Sequence, residues 1–313
     1  MQTINKHLFS VLVCCFVFIG EGIAQTPFFR DQQFQKINSN TQINTIVQGS
    51  NGRIWIGTSA GLFHFDGFDF VKPDIDTCLH GQGVRTLCAV ENGSVLLGSE
   101  NGLLLSVDGK SCKTITPAGY DTGFAVTDII KSANGVIWVS TYGNGIYKIE
   151  NNTAVHYTSH SGLPDDFVYC LTADKKGFIW AGTDNGLVCM HQSNNEVQIK
   201  TYSVDQGLPD NIVRQVVLGP YGQIWVGTFE NGVALLDEKL GRFTVPENLK
   251  HWKYGHINCM LILENEFWIG TDEMGILDYE FAGLGRIRLF ESDFLDEHKA
   301  IDCMMMDNTS NVW

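Results

Sequence analysis

The chain has 313 residues, 44% hydrophobic and 18% charged, which is enough apolar side chain for a sizeable core and argues against disorder. Its 21 basic and 35 acidic residues leave a formal charge of −14, which repels nucleic acid and anionic lipid and makes both poor partners. With 33 glycines and only 7 prolines, many tight turns between short strands are expected.

The first element in chain order is an expected secretory signal over residues 1–24. Lys6 lies in a short polar start, an apolar run follows from Leu8 to Ile19, and Gly22-Ile23-Ala24 precedes Gln25. Cleavage after Ala24 places the remaining chain in the periplasm or otherwise outside the cytoplasm. The run is too short to span a bilayer, and no later stretch approaches 18 uncharged apolar residues, so residues 25–313 are expected to hold no membrane segment. Seven cysteines remain there: Cys78, Cys88, Cys112, Cys170, Cys189, Cys259 and Cys303. They are read as small buried apolar side chains, since none sits at metal-site spacing and a disulfide framework belongs to much shorter chains.

An internal repeat dominates the rest. The anchors are Trp55, Leu96, Trp138, Trp180, Trp225, Trp268 and Trp313, at intervals of 41 to 45 residues. Glycine recurs three residues before most of them, with Asn265 and Ser310 as exceptions. A small residue and then a hydroxyl follow each of the first six anchors, as in Gly57-Thr58, Gly98-Ser99 and Gly182-Thr183. A glycine and an aliphatic residue come next, as in Gly61-Leu62 and Gly186-Leu187.

Each period holds four short strands. In the fourth they are Phe167 to Ala173, Phe178 to Thr183, Leu187 to His191 and Val197 to Ser203, with Asp184-Asn185-Gly186 as a hairpin turn. This predicts an all-β protein: a seven-bladed β-propeller of four-stranded blades over residues 25–313, its last blade incomplete. Residues Pro27 to Gln35 are a spare outer strand that can complete the last blade, leaving an unpaired edge around Asn311 to Trp313. The anchor tryptophans are expected in the core and the hydroxyls after them between blades.

Gly52-x-Ile54-Trp55-Ile56-Gly57-Thr58, together with Gly162-Leu163-Pro164-Asp165 and Gly207-Leu208-Pro209-Asp210, resembles the two-component regulator propeller repeats. These occur in the extracytoplasmic sensor regions of hybrid histidine kinases. The resemblance covers about Ile43 to Trp313 and implies an oligosaccharide or other small ligand. It also implies a parent architecture in which a β-sandwich domain, a transmembrane helix and kinase parts follow, of which this chain is a fragment; an adjacent sandwich or a second subunit is then a partner. Lyase propellers carry similar Gly-x-Ile-Trp strands, so a lyase or glycan hydrolase is one alternative and a structural adhesion module another.

Strand parity places the second-to-third-strand turns and the Gly-Leu-Pro-Asp links on one face, where binding loops on a rigid scaffold belong. The turns supply Ser59, Glu100, Tyr142, Asn144, Asp184, Phe229, Glu230, Asp272 and Glu273. Asp184, Asp272 and Glu100 read as turn residues. Tyr142, Phe229, Glu230 and Glu273 are the candidate ligand-binding residues, because aromatic rings and carboxylates together suit a sugar. His156 and His160 do not converge in an extended segment. No catalytic residue, metal or cofactor is expected, and the propeller itself is read as non-enzymatic.

Overall fold

A computed structural model describes residues 10–15, 28–33, 41–73, 76–193, 196–264, 266–280, 285–290 and 300–313. The signal cleavage site at residues 22–25 and the departure at Asn265 lie outside them. Six repeats each form a four-stranded antiparallel sheet in sequence order, and the whole is an all-β propeller. In the fourth blade the strands are Val168–Ala173, Ile179–Thr183, Gly186–Ser193 and Glu196–Tyr202, within two residues of expectation at each end.

The first strands of successive blades touch one another, so they line the axis, while fourth strands such as Thr153–Tyr157 face solvent with alternate residues. Second strands lie between neighbouring blades and are buried on both faces, which is why Ile54, Trp55 and Ile56 are all apolar. Each anchor inserts into the next blade. Trp180 packs with Val213, Val216, Ile224 and Val226 of the fifth, and Trp138 with Leu171, Ile179 and Ala181 of the fourth. Leu96 fills the equivalent place against Ile129 and Val139.

Among the described residues the number of four-stranded blades is six, not the expected seven. The seventh repeat places Trp268 against Val312 and Trp313 against Phe65 and Phe70, so it closes the ring between the sixth blade and the first. Its strands belong to a three-stranded sheet in which Ser10–Cys15 is central, pairing with Asn311–Val312 on one side and Phe28–Gln33 on the other. In the full chain the edge at Asn311 is paired by a segment from within the expected signal at residues 1–24, whereas the unpaired edge was expected of residues 25–313. The spare strand Phe28–Gln33 reaches the sheet through that segment and not directly. Within residues 300–313 Met306 bridges Val312, Met305 exchanges two backbone hydrogen bonds with Trp313 at 3.0 and 2.7 Å, and the Asp307 N–H donates to the Asn311 carbonyl at 2.8 Å.

Two further expectations are corrected. The buried hydroxyls do not join blades: Thr58, Thr141, Thr183, Thr228 and Thr271 each donate to a glycine carbonyl of their own turn, at 2.7–3.0 Å. Side chains of the first strands do the joining, with Thr127 Oγ1 on the Val168 carbonyl and Thr172 Oγ1 on that of Val216, both at 2.6 Å. The small residue before the hydroxyl is needed for approach, because a Cβ on Gly182 would collide with the Val213 carbonyl of the next first strand. Among the cysteines, Cys78 and Cys112 form a disulfide between the link into the second blade and that blade's last strand. Their 34-residue separation concealed a spatial neighbourhood that only the blade creates. Cys170, Cys189 and Cys259 are buried and free, as expected.

Candidate functional site

The face carrying the second-to-third turns is built by one repeated hydrogen bond. The backbone N–H of Ser59, Glu100, Tyr142, Asp184, Phe229 and Asp272 donates to the carbonyl of Gln42, Gly83, Ala125, Phe167, Ile212 and His256 respectively, at 2.9–3.2 Å. Turn and link are thereby fixed together in every blade. The Gly-Leu-Pro-Asp links add rigidity: a one-turn 3-10 helix, Val204–Gln206, is capped by Ser203 and closed by Gly207 in the left-handed region. Leu208 then points into the core, and the Asp210 carboxylate accepts from the backbone of Ile212 and of Glu230.

A β-bulge next to each turn sets what faces the mouth of the ring. In all six blades the pairing of first and second strands skips one residue: Asn44, Arg85, Thr127, Tyr169, Arg214 and Asn258. A bulge re-aims its extra side chain out of the alternation of the strand. These six positions were missed by sequence reasoning. The signal that could have found them is their place, immediately after the Val or Ile that opens each first strand.

Bulge and turn residues form a continuous line across blades three to six. The Tyr142 ring, 47% exposed, lies 4.8 Å from Phe167, which is 39% exposed, and 6.1 Å from Tyr169. The Tyr169 hydroxyl donates to Asp184 Oδ1 at 2.5 Å. The Arg214 guanidinium lies 4.4 Å from the Tyr169 ring and 5.8 Å from that of Phe229. Phe229 in turn stacks on His256 at 4.0 Å, and His256 Nδ1 meets Asp272 Oδ2 at 2.8 Å. Asp272 Oδ1 also accepts the His256 backbone N–H at 2.8 Å. Asp184 and Asp272 therefore do more than shape turns: each holds a ring of the neighbouring first strand or link.

Tyr142 and Phe229, two of the four expected residues, are in this line. Glu230 and Glu273 are exposed beside it, and their carboxylates make no hydrogen bond or ion pair among the described residues. Burial and the bond to Asp184 push the Tyr169 phenol up, so it stays a neutral donor. His156, singled out in sequence, stacks on Tyr147 and contacts the Asn144 carbonyl, away from His160. The line offers aromatic faces, carboxylate acceptors, a guanidinium and, with Nδ1 of His256 engaged, a ring Nε2 without a partner among the described residues.

The opposite face has a cavity of about 370 Å³ between blades three and four, lined by Trp138, Lys148, Lys176 and His191 among others. Two of its three lysines are engaged, Lys148 with Gln192 and Glu150 and Lys176 with Glu238.

Comparison with known proteins agrees with the repeat. The family model for the two component regulator propeller matches residues 37–60, 162–185 and 207–230, so these three segments carry repeats of that kind. Among solved structures, the extracellular domain of BT3049 from B. thetaiotaomicron, described as a hybrid two component system, is similar at a TM-score of 0.70 and 20% identity. The match covers 87% of this chain and 38% of that one, so the chain spans well under half of that domain. A catalytically inactive virginiamycin B lyase from Staphylococcus aureus with quinupristin is similar at a TM-score of 0.65 and 14% identity, covering 87% of this chain and 94% of that one. A streptogramin B lyase gives 0.62 and 15%, covering 87% and 89%. At these identities the likeness shows a shared fold, and one fold hosts many activities. No curated protein sequence matches the chain.

Proposed function

We propose that this chain is a non-catalytic recognition propeller, the extracytoplasmic input region of a two-component signalling receptor, and that a small ligand, foremost an oligosaccharide, binds across its turn face. The observation that carries the reading is the unbroken line from Tyr142 to Asp272, in which exposed and half-buried rings are interspersed with polar groups on four blades. Such a surface suits a sugar, whose faces are apolar and whose rim is hydroxylated. The repeats of two-component regulator type support the signalling role. The disulfide between Cys78 and Cys112 suits an oxidising compartment outside the cytoplasm. Among the described residues no helix is long and apolar enough to cross a membrane. Ligand spanning several blades would favour one docking geometry of an adjacent β-sandwich domain or second subunit over another, which is the differential binding that signalling needs. Glu230 and Glu273 extend the same site as hydroxyl acceptors.

The test is calorimetric titration of an oligosaccharide panel. A ligand that binds wild type and is weakened tenfold or more by both Tyr142→Ala and Phe229→Ala supports the reading. A panel that binds nothing, or a ligand indifferent to both variants, refutes it.

The pair His256 and Asp272 favours one second reading. A carboxylate that orients an imidazole by Nδ1 and leaves Nε2 free is an arrangement suited to proton abstraction. One of the lyases of similar fold is described as inactive when a histidine is replaced by alanine. Turnover of any panel member by wild type, lost in His256→Ala, would establish this reading over the first.

A further inference from the structure

We propose that Arg214 makes the turn face selective for an acidic saccharide, one bearing a carboxylate or sulfate on a sugar ring; the inference rests on the reading of this face as a ligand site.

The chain carries a formal charge of −14, so an anion gains nothing from the protein as a whole and must be met by a local cation. Some cations are already engaged, while Arg85 at the equivalent bulge of the second blade is, like Arg214, unpaired among the described residues but lies outside the aromatic line of blades three to six. Lys148, Lys176, Lys250 and Arg288 all lie in ion pairs. Arg214 pairs with no carboxylate among the described residues. Its neighbours are the rings of Tyr169 and Phe229, at 4.4 and 5.8 Å. A guanidinium held over aromatic rings gives up none of its fork of N–H donors to them, and no hydrogen bond uses those of Arg214 among the described residues. That fork matches the paired oxygens of a carboxylate or sulfate.

The surroundings keep the fork from being neutralised. Asp184, the acidic residue of the same turn region, accepts the Tyr169 hydroxyl, and Asp272 is held by both nitrogens of His256 that face it, the backbone N–H and Nδ1. The two carboxylates nearest in the line are thus committed to other donors. The stacking surface lies one ring away: Tyr142 is 6.1 Å from Tyr169, and Phe167 stands against Tyr142. A pyranose on Tyr142 and Phe167 would carry its acidic substituent toward Arg214, with His256 Nε2 beyond it as a further polar contact. Glu230 and Glu273, exposed at the far rim, disfavour a second negative charge there, so the fit is to a short oligosaccharide with its acid at one end.

The experiment is calorimetric titration with a hexose trisaccharide bearing a single terminal hexuronic acid, a neutral hexose trisaccharide of the same linkage and its singly O-sulfated form. The proteins are wild type, Arg214→Gln, Arg214→Lys and Tyr142→Ala, each checked by thermal melting. The expected result is that one acidic form binds wild type at least tenfold more tightly than the neutral sugar. Arg214→Gln removes that preference and leaves neutral binding within twofold, Arg214→Lys retains part of it, and Tyr142→Ala weakens all sugars together. Whichever acidic form is preferred identifies the anion as carboxylate or sulfate. Equal binding of acidic and neutral sugars, or a preference that survives Arg214→Gln, overturns the inference while leaving the face a saccharide site. Binding of no sugar, or of acidic peptides only, overturns both.

Discussion

Replacing Asp128 with asparagine separates two opposing effects that the fold builds into one side chain. Asp128, on the first strand of the third blade, ties three blades together. Its Oδ1 accepts the backbone N–H of Ile129 at 2.8 Å and lies 3.4 Å from Thr86 Oγ1 of the second blade, while Oδ2 accepts the Leu171 N–H of the fourth at 2.8 Å. Burial pushes its carboxyl up to about 6 from an ordinary 3.8, against the pull of those hydrogen bonds. Between about pH 4 and 6 the unfolded chain has released this proton and the folded chain keeps it, so stability falls as pH rises through that window. The shift corresponds to roughly 3 kcal/mol lost between the two limits. Asparagine cannot ionise and is spared that loss, but its NH₂ faces one of the two backbone donors and leaves it unpaired, at about 1–3 kcal/mol. Asp128→Asn should therefore be less stable than wild type at pH 4 and close to it at pH 7. Urea unfolding of both proteins from pH 4 to 7 measures the difference directly. Stability curves that run parallel, with no narrowing of the gap by 1 kcal/mol or more, would refute the placement of this carboxyl as a buried tie between blades.

Two further outcomes follow from the packing. Trp180→Ala empties a site 4% exposed between the fourth and fifth blades and should cost about 3–5 kcal/mol in urea unfolding, whereas Trp180→Phe, which loses the bond from Nε1 to Asp174, should cost less. A loss below 1 kcal/mol for alanine would mean that the anchor is not clamped by the next blade. Cys112→Ser opens a 34-residue loop and should lower stability by roughly 3–4 kcal/mol, with reductant producing the same drop in wild type and none in the variant. A wild type indifferent to reductant would contradict the cross-link.

The blades were legible because the repeat prints them. An apolar anchor with glycine before it, and a small residue and a hydroxyl behind it, repeats wherever a second strand must be covered on both sides. The strands of the fourth blade could be placed within two residues for that reason. The partners of Thr58 and its equivalents were not legible, since a hydroxyl can satisfy a turn carbonyl as well as one across a blade boundary, and nearness decided for the turn. The pairing of Cys78 with Cys112 depends on a fold-back of the outer strand that spacing does not encode. At the site, parity placed Tyr142 and Phe229 on the face of the second-to-third turns, but Tyr169, Arg214 and His256 stayed hidden. The first two sit at bulges, where the extra residue leaves the alternation that sequence reading follows, and His256 lies in a link without the Gly-Leu-Pro-Asp signature. The seventh repeat was misjudged because Ser10–Cys15, which lies between it and the spare strand Phe28–Gln33, reads in sequence as the apolar run of a signal and not as a strand.

Hydrogen–deuterium exchange of the full chain, with and without a saccharide that binds it, tests most directly whether ligand is read by the turn face. Slowed exchange at residues 142–145, 165–169, 210–214, 229–232 and 254–258, with no change at the opposite-face turns 132–136 and 174–177, is the result expected. Protection confined to those opposite turns, around the cavity lined by Trp138 and Lys148, would contradict it.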